Sequence, residues 1–258
     1  MKDLANVEPV NYKKCAMTKA EHLFMYIVFA AAGTVVLNIF YKEPILSLII
    51  ALIIAPSFEK EFAKSQVKKR KKRLRTQFCD MLEAMSVAAR AGNNELKALE
   101  SAYHDLQMTY NEKADIIREM RDIINRNRNG IPLRVLFKDF GERSGVDDIK
   151  SFGEIYEIIE GRSDKFSDII KQTQQIISDK IEIEEEIETV LTAPKNENKI
   201  MLFMPVLLIL ILGAGGGGFL DWLYAEDTKV AGAIVISICI AIFISAYLIG
   251  QKMTDIDV

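Results

Sequence analysis

The sequence predicts an all-α chain: a polytopic membrane protein with four transmembrane helices and a cytoplasmic antiparallel six-helix bundle. Three observations predict it. Half of the 258 residues are hydrophobic and 27% are charged, yet the two classes are segregated along the chain instead of mixed. The most apolar windows, 22–40, 45–56, 200–220 and 230–250, lie toward its two ends. Between them apolar residues recur at helical spacing, and no window sustains the alternation of a strand.

The apolar windows come first. The stretches IMLFMPVLLILILGAGGGGFL (200–220) and VAGAIVISICIAIFISAYLIG (230–250) carry no charged residue. About 21 residues at ~1.5 Å each reach across a ~30 Å hydrocarbon core. The window from His22 to Phe40 has only His22 and Asn38 as strongly polar members, and Ile45–Pro56 reaches the lower length limit once Pro44, Ser57 and Phe58 are added. A re-entrant segment is the alternative for this short window. Lys60, Lys64 and the basic stretch through Arg75 follow it, and Lys13, Lys14 and Lys19 precede the first window. Positive charge marks the inner side of a membrane. The connection DWLYAEDTK sets Asp221, Glu226 and Asp227 against Lys229, with Trp222 and Tyr224 suited to an outer belt, and Lys252 falls inside again.

The expected organisation is therefore an N-terminal segment (1–21), a first hairpin (22–58), a cytoplasmic helical domain (59–199), a second hairpin (200–250) and a tail (251–258). Both termini are cytoplasmic in a multi-pass cell-membrane protein. A cleaved signal peptide is disfavoured, because the first apolar window is long, begins well into the chain and lacks a small-residue cleavage site.

The helical domain follows from periodicity. Phe78, Met81, Leu82 and Met85 fall at i, i+3, i+4 and i+7, and Leu96, Leu99, Tyr103 and Leu106 continue the stripe after Ala91-Gly92-Asn93-Asn94, a helix stop followed by an N-cap. Ile117, Met120, Ile123 and Ile124 form the next stripe. Asn129-Gly130 ends it, and Pro132 stands at a first helical position ahead of Leu133, Leu136, Phe137 and Phe140. Ile149, Phe152, Tyr156 and Ile159 precede a break at Gly161, after which Phe166, Ile169, Ile170 and Ile177 resume. Six helices in three glycine-punctuated hairpins result, each apolar on one stripe, so the stripes must meet in a bundle. The last helix carries Glu182, Glu184, Glu185, Glu186 and Glu188, interleaved with isoleucines as on a solvated face, and Pro194 is expected to end or kink it.

The run Phe78-Cys79-Asp80-Met81-Leu82 through Ala91-Gly92, followed by Leu96-Lys97-Ala98-Leu99, resembles the opening of the type II secretion system F domain. Gly130, Gly161 and the return at Met201-Leu202-Phe203-Met204-Pro205 are similar to later parts of that family, so the resemblance covers roughly 59–220. The layout looks like its single-domain branch, the TadB/TadC-like platform proteins of tight-adherence pili. The third hairpin departs from the pattern with Gly161-Arg162-Ser163-Asp164-Lys165-Phe166, and Pro194 to Lys199 replaces the usual small-residue and arginine approach. The resemblance implies a non-catalytic inner-membrane platform that couples a secretion or pilus ATPase to pilin subunits, alone or with a paralogous platform protein, as a homo- or hetero-oligomer.

No constellation points to catalysis. His22 and His104 have no Cys, Ser or paired carboxylate at motif spacing. Cys15, Cys79 and Cys239 stand far apart, without metal-ligand or disulfide spacing, so neither a metal nor another cofactor is expected. Gly215 to Gly218 lack the Lys-Ser/Thr of a P-loop and read as ordinary small-residue helix packing, or else as a flexible or closely packed segment helped by Pro205. The residues singled out are the turns Gly92, Gly130 and Gly161, together with Pro205 and the basic run Lys68, Lys69, Arg70, Lys71, Lys72, Arg73 and Arg75. That run is read as a contact for membrane lipids or an acidic protein partner, with no nucleic acid expected. The rival readings are a transporter or channel subunit, and a membrane signalling protein; the first is weakened by apolar windows without acidic or basic side chains.

Overall fold

The computed structural model describes Tyr12 and residues 19–41, 44–159, 163–214 and 229–254. The described residues are helical apart from short turns, with no strand among them. Eight helices are described: α1 (Lys19–Tyr41), α2 (Pro44–Arg90), α3 (Glu95–Thr109), α4 (Asp115–Arg128), α5 (Leu133–Ser144), α6 (Asp147–Ile159), α7 (Ser163–Ala214) and α8 (Lys229–Thr254). They belong to two compact units. One comprises Met1–Ala16 and Ala63–Ile183, the other Met17–Phe62 and Glu184–Val258.

The first unit holds the core that the periodicity forecasts. Phe78, Met81, Leu82 and Met85 of α2 are buried with Leu99 and Leu106 of α3. So are Ile117, Met120, Ile123 and Ile124 of α4, Leu133, Leu136, Phe137 and Phe140 of α5, Ile149, Phe152 and Tyr156 of α6, and Phe166, Ile170 and Ile177 of α7. Aromatic rings link four of these helices. Phe78 meets Phe152 edge-on at 5.3 Å, Phe137 meets Phe152 at 5.2 Å and Tyr156 at 4.8 Å, and Tyr156 reaches Phe166 at 6.3 Å. Such pairs contribute about 0.5–1.5 kcal/mol each beyond the area they bury.

Two turns close as the sequence indicates. Gly92 has φ +88° and Gly130 φ +91°, where a side chain is strained. In the first turn the Gly92 amide donates to the Ala89 carbonyl at 3.0 Å and Asn93 to Ala88 at 3.3 Å; in the second Gly130 donates to Asn127 at 2.8 Å and Ile131 to Arg126 at 3.2 Å. Both are Schellman closures, satisfying the last carbonyls of α2 and α4. Asn94 then caps α3, its Oδ1 accepting from the Lys97 amide at 2.9 Å. Pro132 sits one position earlier than expected, as the N-cap of α5.

The hairpin arrangement needs revision. Helices α5 and α6, expected in separate hairpins, form a close pair joined at Gly145, whose left-handed φ of +62° ends α5. A Cβ on Gly141 would lie 2.7 Å from Lys150 Cα, and one on Gly153 would lie 2.9 Å from the Phe137 carbonyl oxygen. Glycines at these two positions let the backbones approach this closely, which no other residue would. Pro194 does not end α7, which runs on to Ala214 through Pro194 and Pro205. A proline removes one intrahelical hydrogen bond, and the turns on either side of it keep theirs.

In the second unit, small residues bring α1 and α2 together: Ala30 and Ala51 are buried, and a Cβ on Gly33 would stand 3.3 Å from that of Ala51. The Tyr26 hydroxyl donates to the Leu52 carbonyl at 3.1 Å, and Phe29 meets Phe62 at 6.1 Å. Large apolar side chains such as Phe24, Ile45, Ile53 and Phe203 are exposed.

The expectation of four transmembrane helices, and with it the multi-pass membrane localisation, is overturned: among the described residues no helix is long and apolar enough to cross a membrane. In α2 the apolar start gives way to Glu59, Lys60 and Glu61 within the same helix. The expected connections at 42–43 and 221–228, the break at Gly161 and the glycines 215–218 lie outside the described residues.

Candidate functional site

The basic run separates into two sets according to where each residue falls on α2. Lys68, Lys69, Lys72 and Arg73 are exposed. Arg70 and Arg75 turn toward other helices. Arg70 grips Asp115, the first residue of α4, through Nε at 2.8 Å and Nη2 at 2.6 Å. Arg75 Nε stands 2.5 Å from Asp148 of α6, which Lys180 of α7 also approaches at 2.7 Å. Lys71 is half-buried. Two of the seven candidate contact residues are therefore helix-to-helix ties, and the exposed set is narrower than the sequence suggests.

Behind Arg70 lies a buried charged cluster that the sequence reading missed. Glu119 of α4 is only 3% exposed. It accepts two hydrogen bonds from Arg143 of α5, at 2.9 and 2.8 Å. Arg143 also donates to Asp139 at 3.1 Å, and Arg126 donates to the same carboxylate at 3.0 Å. Burial opposes the Arg143 charge, but Glu119 and Asp139 outweigh it and raise its pKa above the ordinary arginine value. A buried carboxylate is tolerated only when paired and hydrogen-bonded in this way.

Tyr12 completes the cluster. Its ring is 1% exposed and lies under the Arg70 guanidinium, 4.6 Å from carbon to ring centroid. Its hydroxyl donates to Glu119 Oε1 at 2.8 Å, and its amide donates to the Arg143 carbonyl, in the last turn of α5, at 3.2 Å. Burial first, then the neighbouring Glu119 carboxylate, pushes the phenol well above its usual pKa, so it stays a protonated donor. Nearby, Gln77 of α2 accepts the Ile116 amide at 3.3 Å, satisfying an α4 N-terminal donor that Ala114 cannot cap.

The remaining candidates are structural or outside this cluster. Gly92 and Gly130 are turns and Pro205 is inside α7, as described above, while Gly161 is not among the described residues. His104 is exposed and meets the Tyr103 ring edge-on at 5.8 Å. Cys79 is buried, its thiol pushed up by burial and directed to the Gln174 carbonyl at 3.7 Å; Cys239 is exposed in α8. An open crevice of about 430 Å³ is lined by Asn94, Leu96, Pro132, Leu133 and Phe166 among others, without a charged pair suited to proton transfer. What the cluster can do chemically is hold helices and a tyrosine in register. No family model matches the chain, and comparison with curated proteins and with solved structures found no significant match.

Proposed function

We propose that the chain is a non-catalytic helical platform that works by contact, coupling a motor ATPase to the assembly or secretion of pilin subunits in the manner of the type II secretion F domain it resembles. The observation that carries this reading is the α2–α3 hairpin. The family-like residues Phe78, Met81, Leu82, Leu99 and the Gly92 turn lie in one continuous apolar interior with α4 to α7. The charges turned inward are paired with one another across helices, the use expected of a rigid force-transmitting body. The outward basic residues Lys68, Lys69, Lys72 and Arg73 then form the surface for an acidic partner, with the ATPase as the first candidate. A paralogous platform protein would enlarge the same assembly.

Charge reversal of Lys68, Lys69, Lys72 and Arg73 together tests this reading. The expected result is an unchanged helical fold, salt-sensitive weakening of co-purification with the cognate ATPase, and loss of surface pili. Normal pilus assembly in that variant, combined with its loss on replacing His104 alone, would sink the scaffold reading and require a chemical role.

A further inference from the structure

We propose that Arg70, Asp115, Glu119 and Arg143 form a reversible receptor pocket for a tyrosine side chain, and that Tyr12 of the N-terminal segment is its tethered ligand. The first argument is that the walls stand without the ligand. Arg70 is held by Asp115 through two hydrogen bonds, and Glu119 by Arg143 through two more, at 2.6–2.9 Å. Asp139 braces Arg143 from the other side at 3.1 Å. Removing Tyr12 leaves no charge unpaired, so the pocket does not have to collapse or rebuild when it empties. Preorganisation of this kind lowers the cost of binding.

The second argument is that the contacts are those of a recognition site. Each part of the tyrosine has its own partner: the ring lies under a guanidinium, the hydroxyl donates to a carboxylate and the backbone amide donates to the carbonyl of Arg143 near the end of α5. A phenylalanine would lose the hydroxyl contact, and an aliphatic side chain would lose the cation–π contact as well. The set is specific for tyrosine.

The third argument concerns linkage. Tyr12 lies near α1 in sequence but belongs to the unit that contains α3 to α6, so its docking ties the N-terminal segment to that unit. Because Tyr12 belongs to the same chain as the pocket, its docking is intramolecular, which favours occupancy in cis over a dilute competitor. A tyrosine-bearing segment displaces it only when locally concentrated, as in an assembly.

The test uses the full chain carrying Tyr12→Ala and a fluorescein-labelled peptide of residues 6–17, followed by fluorescence anisotropy. The variant should bind the peptide saturably and at least about tenfold more tightly than the unaltered chain, whose pocket is occupied. A peptide with Tyr12→Phe should bind about tenfold more weakly, the usual effect of losing a hydrogen bond to a charged group. A peptide with Tyr12→Ala should not bind. Equal affinity of the variant and the unaltered chain, or equal binding of the tyrosine and alanine peptides, overturns the proposal. Hydrogen exchange on the unaltered chain gives an answer even if the variant misfolds. The Tyr12 amide should exchange at least 100-fold faster than those of Ile117 and Met120, because docking is separable from core unfolding. Equal protection at all three overturns the proposal as well.

Discussion

Two sides of the same helical unit are buried by different means. On one, α5 and α6 meet through Gly141 and Gly153 and the rings of Phe137, Phe152 and Tyr156; on the other, α4 and α5 are joined by Glu119, Arg143, Asp139 and Arg126. The first side depends on volume and distance, so errors there are graded. The second depends on completeness: the buried Glu119 and Arg143 are tolerable only while each has its partner. A paired buried charge adds little net stability over an apolar residue of the same shape, yet an unpaired one is costly. The charged side should therefore be the more brittle.

The sharpest way to break that comparison is to remove one partner. Glu119→Ala removes the two-bond carboxylate partner of the buried Arg143 and the acceptor of the Tyr12 hydroxyl, and it should cost about 3–5 kcal/mol in urea unfolding followed by far-ultraviolet circular dichroism. The double change Glu119→Met with Arg143→Met removes both charges. It should be less destabilising than the sum of the single changes, and strict additivity would show that the pair is not energetically coupled.

On the volume side, Gly153→Ala places a methyl group against the Phe137 carbonyl and the Lys138 Cα, 2.9 and 3.1 Å from its position. Backbone cannot yield as a side-chain tip does, so the helices must separate. The expected loss is about 1–3 kcal/mol in the same unfolding measurement. A neutral result would mean that α5 and α6 are not in close contact in solution.

Smaller still is the effect at a turn. The Cβ that Gly130→Val adds meets nothing within 4 Å, so the cost expected there is that of the left-handed backbone, about 1–2 kcal/mol. Comparing it with Gly153→Ala separates conformational strain from steric crowding. Gly130→Asn, which tolerates that conformation better, should recover part of the loss, whereas no polar substitution rescues Gly153.

The contrast also explains what the sequence could reveal. The apolar stripes of α2 to α7 were legible because burial repeats at helical spacing, and the turns at Gly92 and Gly130 were legible because a glycine follows each stripe. The charged side was not, because charged residues were assigned to solvent as a class. A signal was nevertheless present: Glu119 falls with Ile116, Met120 and Ile123 at i, i+3, i+4 and i+7, on the apolar stripe itself. Continuing the α2 stripe upstream from Phe78 through Leu74 likewise lands on Arg70, which separates it from Lys68 and Lys69. The α5–α6 pairing was missed because Gly141 and Gly153 lie inside helices, where a glycine reads as a weak point. The apolar windows are legible as hydrophobic segments, but among the described residues no helix is long and apolar enough to cross a membrane.

The smallest expected effect lies at the edge of the polar side, where Tyr110 donates to Asp80 of α2. Burial, followed by the Asp80 carboxylate, pushes the Tyr110 phenol up from 10.0 to about 12. A phenol whose folded pKa is raised binds its proton in the native state after the unfolded chain has lost it. Its contribution is complete below about pH 10, declines as pH rises through the interval up to about 12 and is gone above it. Tyr110→Phe removes both the hydrogen bond and this titration. Urea midpoints measured between pH 8 and pH 12 should fall less steeply for the variant than for the unaltered chain, with the two curves converging at the alkaline end. Tyr12 titrates in the same direction, with a larger displacement and deeper burial, so it remains protonated in the folded chain over the whole range and contributes equally to both curves. Parallel curves with a constant offset would place the Tyr110 hydroxyl in an ordinary hydrogen bond uncoupled from Asp80, and would confine the acidic contacts with tyrosine to the buried Glu119 side.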